Sequence, residues 1–150
     1  MKNKTRWSIA MPMLALLGCA STGTVMNGYD GPERSDREVA ILFTPEIDPP
    51  SYERRGGVLS AVGGKTVGSF MDGYPRATKV LPGEYLIKVG CLDMILKNNM
   101  DFRLLRARFE AGRYYELVCE RSSVAALDRG ASYKSVEHLL PASVKDQLRR

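Results

Sequence analysis

In two stretches of the chain every second side chain is apolar while the positions between are mixed, and each stretch follows a glycine turn and ends at a cysteine. The first covers residues 84–91, after a Pro-Gly pair, and the second covers residues 114–119, shortly after an Ala-Gly pair. Alternation with a period of two is typical of a β-strand that has one face on a core. These stretches therefore limit the chain to a fold that is rich in sheet.

Shorter apolar segments separated by turn residues extend this pattern. Gly63-Gly64 predicts a two-residue hairpin turn, because both positions can adopt a positive φ. A loop is predicted over residues 45–57, which contain three prolines besides two glycines. About seven short strands are predicted in all. They cover residues 37–43, 58–62, 65–70, 77–81, 84–91, 102–110 and 114–119, with a further edge strand at 133–140 and a final helix at 142–148.

Such an arrangement is typical of an all-β protein, and we expect a single antiparallel β-sandwich over residues 37–140. Residues 141–150 would form a short C-terminal helix or tail. An α+β domain is the alternative if residues 92–100 and the tail are helical. In the strand at 102–110 one face would carry Leu105, Ala107 and Phe109, and the other Leu104, Arg106 and Arg108.

Residues 1–18 have the pattern of a secretory signal peptide. Lys2, Lys4 and Arg6 precede an apolar run at residues 7–17, which is too short to span a bilayer. Residues 20–36 are rich in Ser, Thr, Gly, Asn and Asp and lack an apolar period. We therefore predict that residues 19–36 form a flexible tether.

The end of the apolar run, Leu16-Leu17-Gly18-Cys19, resembles the lipobox of bacterial lipoproteins. The resemblance implies that the Cys19 thiol receives a diacylglyceryl group, that the chain is cut before Cys19, and that the new amino group is acylated. Ala20-Ser21 after the cysteine implies an outer-membrane location, with the domain in the periplasm. Three acyl chains would anchor the protein stably in the membrane, since a single chain binds only reversibly.

Processing also changes the charge of the chain. The full sequence carries 22 basic and 17 acidic residues, for a net charge of +5. Removing the three basic residues of the signal lowers this to +2. The charge therefore does not indicate nucleic-acid binding.

The sequence has three cysteines. If Cys19 carries lipid, Cys91 and Cys119 remain, and an oxidising periplasm favours a disulfide between them. Two strands that flank a third in a flat sheet would hold their Cα atoms about 10 Å apart, which is beyond disulfide reach. The disulfide thus requires facing sheets or directly paired strands, and two separate buried thiols are the alternative.

Three segments resemble a group of small bacterial lipoproteins with PEGA-like or transthyretin-like β-sandwiches. They are "SAVGGKTVG" (60–68), "TKVLPGEYLIKVGC" (78–91) and "RARFEAGRYYELVC" (106–119). The resemblance covers residues 58–119. It departs from the group at Gly63, where Asp is more frequent, and at Glu84-Tyr85, where His is frequent. It implies a sandwich fold and no reaction, cofactor or catalytic residue.

The sequence lacks the common catalytic and metal-binding motifs. His138 is the single histidine, which argues against histidine triads and multi-histidine metal sites. We expect His138 to lie at the surface of the tail. Gly64-Lys65-Thr66 lacks the first glycine of a phosphate-binding loop. Glu84 and Glu116 could form an acid–base pair only if their strands were adjacent. We therefore expect no catalytic residue, no metal ligand and no cofactor.

Arginines are concentrated near the second half of the sheet, at Arg103, Arg106, Arg108 and Arg113. They predict a face for an anionic partner, such as lipopolysaccharide phosphates, peptidoglycan carboxylates or an acidic envelope protein. The alternative is a solvated sheet face on which arginine discourages edge pairing.

The function we expect is that of a non-enzymatic binding or envelope-assembly module, anchored in the outer membrane. One alternative is a lipoprotein subunit of a secretion or transport machine, which an exposed apolar patch at a sheet edge would favour. Another is an envelope hydrolase or carbohydrate-active enzyme, which a cleft with converging carboxylates would favour.

Overall fold

A computed structural model of the protein describes residues 25–46, 54–69, 71–92 and 99–148. This part of the chain is all-β, with nine strands and two short helices. The elements are β1 Val25–Asn27, β2 Ala40–Phe43, β3 Arg54–Val62, β4 Lys65–Thr66, β5 Ala77–Val80, β6 Gly83–Leu92, β7 Met100–Phe109, β8 Tyr114–Glu120, β9 Val124–Asp128, α1 Tyr133–Val136 and α2 Ala142–Leu148.

The strands form one curled, open sheet with the order β1-β5-β2-β8-β3-β6-β7, in which β4 pairs with β3 and β9 pairs with β8. The β1–β5 and β2–β8 pairs are parallel, and the other pairs are antiparallel. The sandwich of about seven strands expected from the sequence is not confirmed. The reason is β3, which pairs with strands of both halves and so joins them into one sheet.

β3 changes its neighbour midway along its length. Residues 54–56 pair with β8, and the ladder to β6 begins at Gly57. The predicted loop at 45–57 is therefore wrong for residues 54–57. Glycine allows the close approach here, since a Cβ at Gly57 would lie 2.6 Å from Val89 Cγ1, and one at Gly56 would lie 2.9 Å from the Pro45 carbonyl oxygen.

Substituting alanine for Gly57 tests this crossing. We expect Gly57→Ala to lower the free energy of unfolding by about 2 kcal/mol, because the methyl group would overlap Val89 and press on Cys119 Sγ, 3.1 Å away. Gly130→Ala is the comparison, since no atom lies within 4 Å of a built Cβ there and its expected loss of about 1 kcal/mol comes from the positive φ alone. Urea denaturation of both variants measures the difference. A smaller loss for Gly57→Ala than for Gly130→Ala would contradict the packing argument.

Two apolar cores lie on opposite faces of the sheet. The interior core fills the concave side and includes Leu59, Ile87, Val89, Phe109 and Leu117. The helix core lies on the other side, where α1 and α2 cover β2, β5 and β8, and it includes Val136, Leu140, Val144 and Leu148. β2 contributes to both cores and is fully buried, as its uninterrupted apolar run predicts.

The N-terminal part of the described chain is packed on the domain. Val25–Asn27 pairs with β5, and Tyr29 is buried with its hydroxyl accepting a hydrogen bond from Arg34 N–H. The structure therefore differs from the flexible tether expected at 19–36, in that residues 25–36 belong to the folded domain. Residues 19–24 lie outside the described part.

The C-terminal part differs from the expectation in two elements. β9 pairs with β8 over five residues and was not predicted, since its sequence, Val-Ala-Ala-Leu-Asp, does not alternate. The edge strand predicted at 133–140 is wrong, because α1 and a turn occupy those residues. The final helix at 142–148 is confirmed.

Candidate functional site

The outward side chains of β6 and β7 form an exposed surface, which we call the hairpin face. Glu84, Leu86, Lys88, Phe102, Leu104, Arg106 and Arg108 compose it. The predicted alternation of β7 is confirmed, with Phe109, Leu105 and Ala107 packed on the interior core and the arginines at 106 and 108 outside. The hairpin face thus combines apolar and cationic groups on one twisted ribbon.

Apolar and cationic residues lie directly opposite each other on this face. Lys88 pairs in register with Leu104, and Leu86 pairs with Arg106. The Lys88 ammonium lies 4.6 Å from the centre of the Phe102 ring, a cation–π contact. Leu104 is 65% exposed and Leu86 is 47% exposed, so both present large apolar areas to solvent.

The four arginines predicted to form one face are divided among three places. Arg106 and Arg108 lie on the hairpin face, and Arg106 forms a 3.4 Å ion pair with Glu84. Arg103 and Arg113 lie elsewhere and have structural partners. The structure therefore brings together only two of the four residues that the sequence grouped.

Arg103 connects β7 to the turn between β8 and β9. Its Nη1 donates hydrogen bonds to the carbonyl oxygens of Glu120 and Ser123 at 2.9 and 2.8 Å, and its Nε pairs with Asp101 at 2.8 Å. Carbonyl oxygens at a turn are acceptors that a planar guanidinium can bridge. Arg103 thus holds the free edge of β7 near the β8–β9 hairpin.

Arg113 pairs with Asp128 at the opposite end of that hairpin, at 2.8 Å. Burial opposes ionisation of Asp128, but the hydrogen bonds from Arg113 and from the Gly130 N–H lower the pKa of this carboxyl overall. The hydrogen bond and charge of Asp128 raise the pKa of Arg113. This pair stabilises the turn at the end of β9.

Glu116 is a fully buried carboxylate that the sequence analysis did not recognise as part of a charge cluster. Oε1 accepts a hydrogen bond from Arg54 Nη2 at 2.8 Å, and Oε2 accepts one from Arg129 Nε at 2.6 Å. Glu116 pairs with Phe43 of β2 on one side and with Leu127 of β9 on the other. The cluster therefore links β3, β8 and the end of β9.

Glu84 and Glu116 do not form an acid–base pair. Glu84 lies on the hairpin face with Arg106, whereas Glu116 is buried between two other arginines. Their strands, β6 and β8, are separated in the sheet by β3. The geometry required for the enzymatic alternative is thus not provided by these two carboxylates.

Cys91 and Cys119 form a disulfide inside the interior core, where both are fully buried. Their strands flank β3, yet the Cα atoms lie only 5.8 Å apart. The sheet bends where β3 changes neighbour, with Gly57 opposite Cys91 and Arg55 opposite Cys119. A flat sheet would not allow this distance, so the bend is what makes the bridge possible.

A second candidate is an open cleft of about 560 Å³ beside β5, lined by Glu33, Arg34, Ser35, Asp36, Arg37, Lys79 and Gln147. The Lys79 ammonium pairs with Asp36 at 2.9 Å and with Glu33 at 3.4 Å. Burial lowers the pKa of Lys79, but the two carboxylates outweigh it and raise the pKa overall. These ion pairs connect residues 33–36 to β5, so the charges of Lys79, Asp36 and Glu33 already have partners.

Tyr114 lies next to this region in the helix core. Burial, with smaller contributions from Asp36 and Tyr133, raises its pKa to about 12. An unfolded tyrosine ionises near pH 10, so the stability that the neutral phenol provides is present below pH 10 and is lost as the pH rises toward 12. The pH dependence of stability should therefore report the burial of this ring.

We expect Tyr114→Phe to be less sensitive to alkali than the unsubstituted protein. Between about pH 8 and about pH 11, the unsubstituted protein should lose about 1 kcal/mol more of its unfolding free energy than the variant. Denaturant titrations at the two pH values measure this difference, and the pair of curves at pH 8 is the baseline. Parallel losses in both proteins would show that Tyr114 ionises equally in the folded and unfolded states.

Three smaller expectations concern single residues. Gly63 and Gly64 form the predicted hairpin turn with φ angles of 54° and 86°, so the Gly-Lys-Thr sequence there belongs to a hairpin. His138 is exposed, as predicted. Cys19, the predicted lipid attachment site, lies outside the described residues.

Within residues 25–46, 54–69, 71–92 and 99–148, no group of three or more His, Cys, Asp or Glu side chains is placed to hold a metal ion.

No protein-family model, no curated protein and no solved structure matches this chain. In the part of the chain that the structure describes, no helix combines the length and apolar character needed to cross a bilayer.

Proposed function

We propose that this protein is a lipoprotein anchored in the outer membrane through Cys19, with a periplasmic β-domain that serves as a non-enzymatic binding or envelope-assembly module. The lipid would hold the domain at the membrane, and an exposed sheet surface would meet its partner. Restriction to the membrane surface raises the effective concentration of such a partner, so weak contacts suffice.

The observation that carries this proposal is the distribution of the three cysteines. Cys91 and Cys119 are joined in a buried disulfide, which fits an oxidising compartment. The remaining cysteine, Cys19, stands at the end of the lipobox-like sequence. Each cysteine therefore has a use that agrees with export and lipidation.

The exposed cations of the hairpin face support a binding role, because the other charged groups named above have partners within the fold. Glu116 is held by two arginines, Lys79 by two carboxylates, and Arg103 by turn carbonyls. These groups stabilise the fold. The hairpin face, in contrast, presents its cations and apolar side chains to solvent.

Intact-mass analysis of the protein purified from native membranes tests the proposal. The expected mass lacks residues 1–18, includes three acyl chains, and rises by two hydrogens on reduction. Cys19→Ala is the control, and it should keep its signal segment and gain no acyl mass. An unmodified Cys19 in the purified protein would refute the anchor, and so would recovery of the protein in the soluble fraction.

A further inference from the structure

The hairpin face exposes large apolar side chains that are interspersed with cations. Leu86, Phe102 and Leu104 are between 40% and 65% exposed, although large apolar side chains are favoured in a core. Each lies beside a cation or a glycine across the ladder, so the apolar area is interrupted by charge. With Lys88, Arg106 and Arg108 against Glu84, the face has a net charge of +2.

A second copy of the chain does not complement this surface. A two-fold interface would place the same face against itself, so its net positive charges would repel each other. The core of a stable protein interface is also depleted of charged residues, whereas here Lys88 and Arg106 stand between the apolar side chains. A complementary surface must offer apolar and anionic groups at the same depth.

The interface of an anionic phospholipid bilayer offers both. Acyl chains lie directly below phosphate groups, so leucine and phenylalanine can insert while lysine and arginine contact the phosphates. Binding of this kind depends on the buried apolar area together with attraction to anionic lipid. The mixed pattern of the hairpin face fits this surrounding in both respects.

The start of the folded domain supports the same occupant. β1 begins at Val25, six residues beyond Cys19. Six residues span at most about 20 Å even when fully extended. A domain anchored through Cys19 is therefore held against the bilayer, and one of its surfaces must face the lipid headgroups.

We propose that the hairpin face binds the surface of an anionic phospholipid membrane, with Leu86, Phe102 and Leu104 at the acyl boundary and Lys88, Arg106 and Arg108 on the phosphates. This inference rests on the proposed anchoring, which brings the face to the bilayer. The contact orients the domain, because α1 and α2 cover β5 and β2, which lie away from β6 and β7 in the strand order.

A single tryptophan can report this contact. The sequence contains one tryptophan, Trp7, which lies in the predicted signal peptide. The mature Leu104→Trp protein would therefore carry one reporter, on a residue exposed enough to accept it. His138→Trp is the control, because His138 is exposed between α1 and α2 on the helix-covered side. Leu86→Trp provides a second reporter if the first variant folds poorly.

Each lipidated protein is reconstituted into phosphatidylcholine vesicles with or without phosphatidylglycerol. We expect the emission of Leu104→Trp to shift to shorter wavelength, and to be quenched by brominated lipid, when phosphatidylglycerol is present. The shift should weaken at high salt, because the attraction to headgroups is screened. His138→Trp should show neither change.

Charge substitutions supply the matched comparison. Replacing both Arg106 and Arg108 by glutamine in the Leu104→Trp protein should reduce the ratio of bound to free domain about 25-fold, or about five-fold for each cation. Replacing Arg34 and Arg37 by glutamine removes the same charge from the cleft beside β5 and should leave the ratio nearly unchanged. Equal effects of the two pairs would refute a specific role for the hairpin face.

The outcomes for anchor and face are separable. Vesicle flotation and intact mass report the anchor, whereas the tryptophan signal reports the face. Flotation without a shift in either tryptophan reporter would overturn the membrane-binding face and leave the anchor standing, and the face would then be assigned to an acidic protein partner. Absence of lipid on Cys19, with a shift when the soluble protein meets phosphatidylglycerol vesicles, would refute the anchor and support the face.

Discussion

Glu116→Gln is expected to lower the free energy of unfolding by about 3 kcal/mol. The carboxylate is fully buried and pairs with Arg54 at 2.8 Å and with Arg129 Nε at 2.6 Å. Glutamine keeps the shape but loses the charge, and its amide group would direct a donor toward one of two guanidinium donors. Both arginines would then keep their charge in a partly buried site without the anion that compensates it.

Urea denaturation followed by circular dichroism measures this loss. Glu84→Gln is the matched control, because the Glu84–Arg106 pair is solvent-exposed at 3.4 Å. Exposed ion pairs contribute little, so the control should change stability by no more than about 0.5 kcal/mol. Similar small effects at both positions would show that the buried cluster does not stabilise the junction of β3, β8 and β9.

Removal of the disulfide is the second large effect that we expect. The double variant Cys91→Ala/Cys119→Ala should lose about 3.5 kcal/mol of unfolding free energy, given a sequence separation of 28 residues. The loss arises because the cross-link restricts the unfolded chain, and the folded state also loses two buried sulfur atoms from the interior core.

A reductant provides the comparison for this variant. Unfolding of the unsubstituted protein in urea with reductant should approach the midpoint of the double variant, because both lack the cross-link. The reductant should leave the double variant itself unchanged. Because both sulfur atoms are fully buried, reduction should be slow in buffer and fast in urea. An unsubstituted protein with the same midpoint in the presence and absence of reductant would refute the stabilising role.

The elements that sequence reasoning located are those in which local chemistry and tertiary packing agree. The glycine turn at 63–64, the alternating strands β6 and β7, and the helix α2 follow directly from the local pattern. The disulfide was also anticipated from the number of cysteines, but its geometry was not. The sequence gives no sign that the sheet bends at Gly56-Gly57, because that bend depends on contacts with residues far along the chain.

Other elements were missed because tertiary contacts outweigh weak local preferences. Arg-Arg-Gly-Gly at 54–57 indicates a loop, yet the two glycines are needed where strands approach closely. Residues 25–27 have little strand character alone and are fixed by pairing with β5. For α1, which lies where a strand was predicted, the sequence does carry a signal. Val136, Leu140, Val144 and Leu148 recur every four residues, which is a helical period.

The candidate surface was predicted in part. Alternation along β7 correctly placed Arg106 and Arg108 on one face with Leu104. The structure does not bring Arg103 and Arg113 to this face, because charge clustering in sequence ignores the strand face and the turn geometry. Lys88 and Leu86 complete the surface only through the register of β6 with β7, which a single sequence does not specify.

The parallel pairing of β2 with β8 affects the order in which the chain can fold. Ile41 pairs with Tyr114, about 70 residues later, whereas β6–β7 and β8–β9 are local hairpins. In a chain that emerges N-terminus first, the apolar segment Ala-Ile-Leu-Phe of β2 must wait for most of the domain before it can be covered on both faces. Among the described strands, β2 therefore keeps a fully apolar segment uncovered until late in synthesis, and exposed apolar segments of this kind favour aggregation.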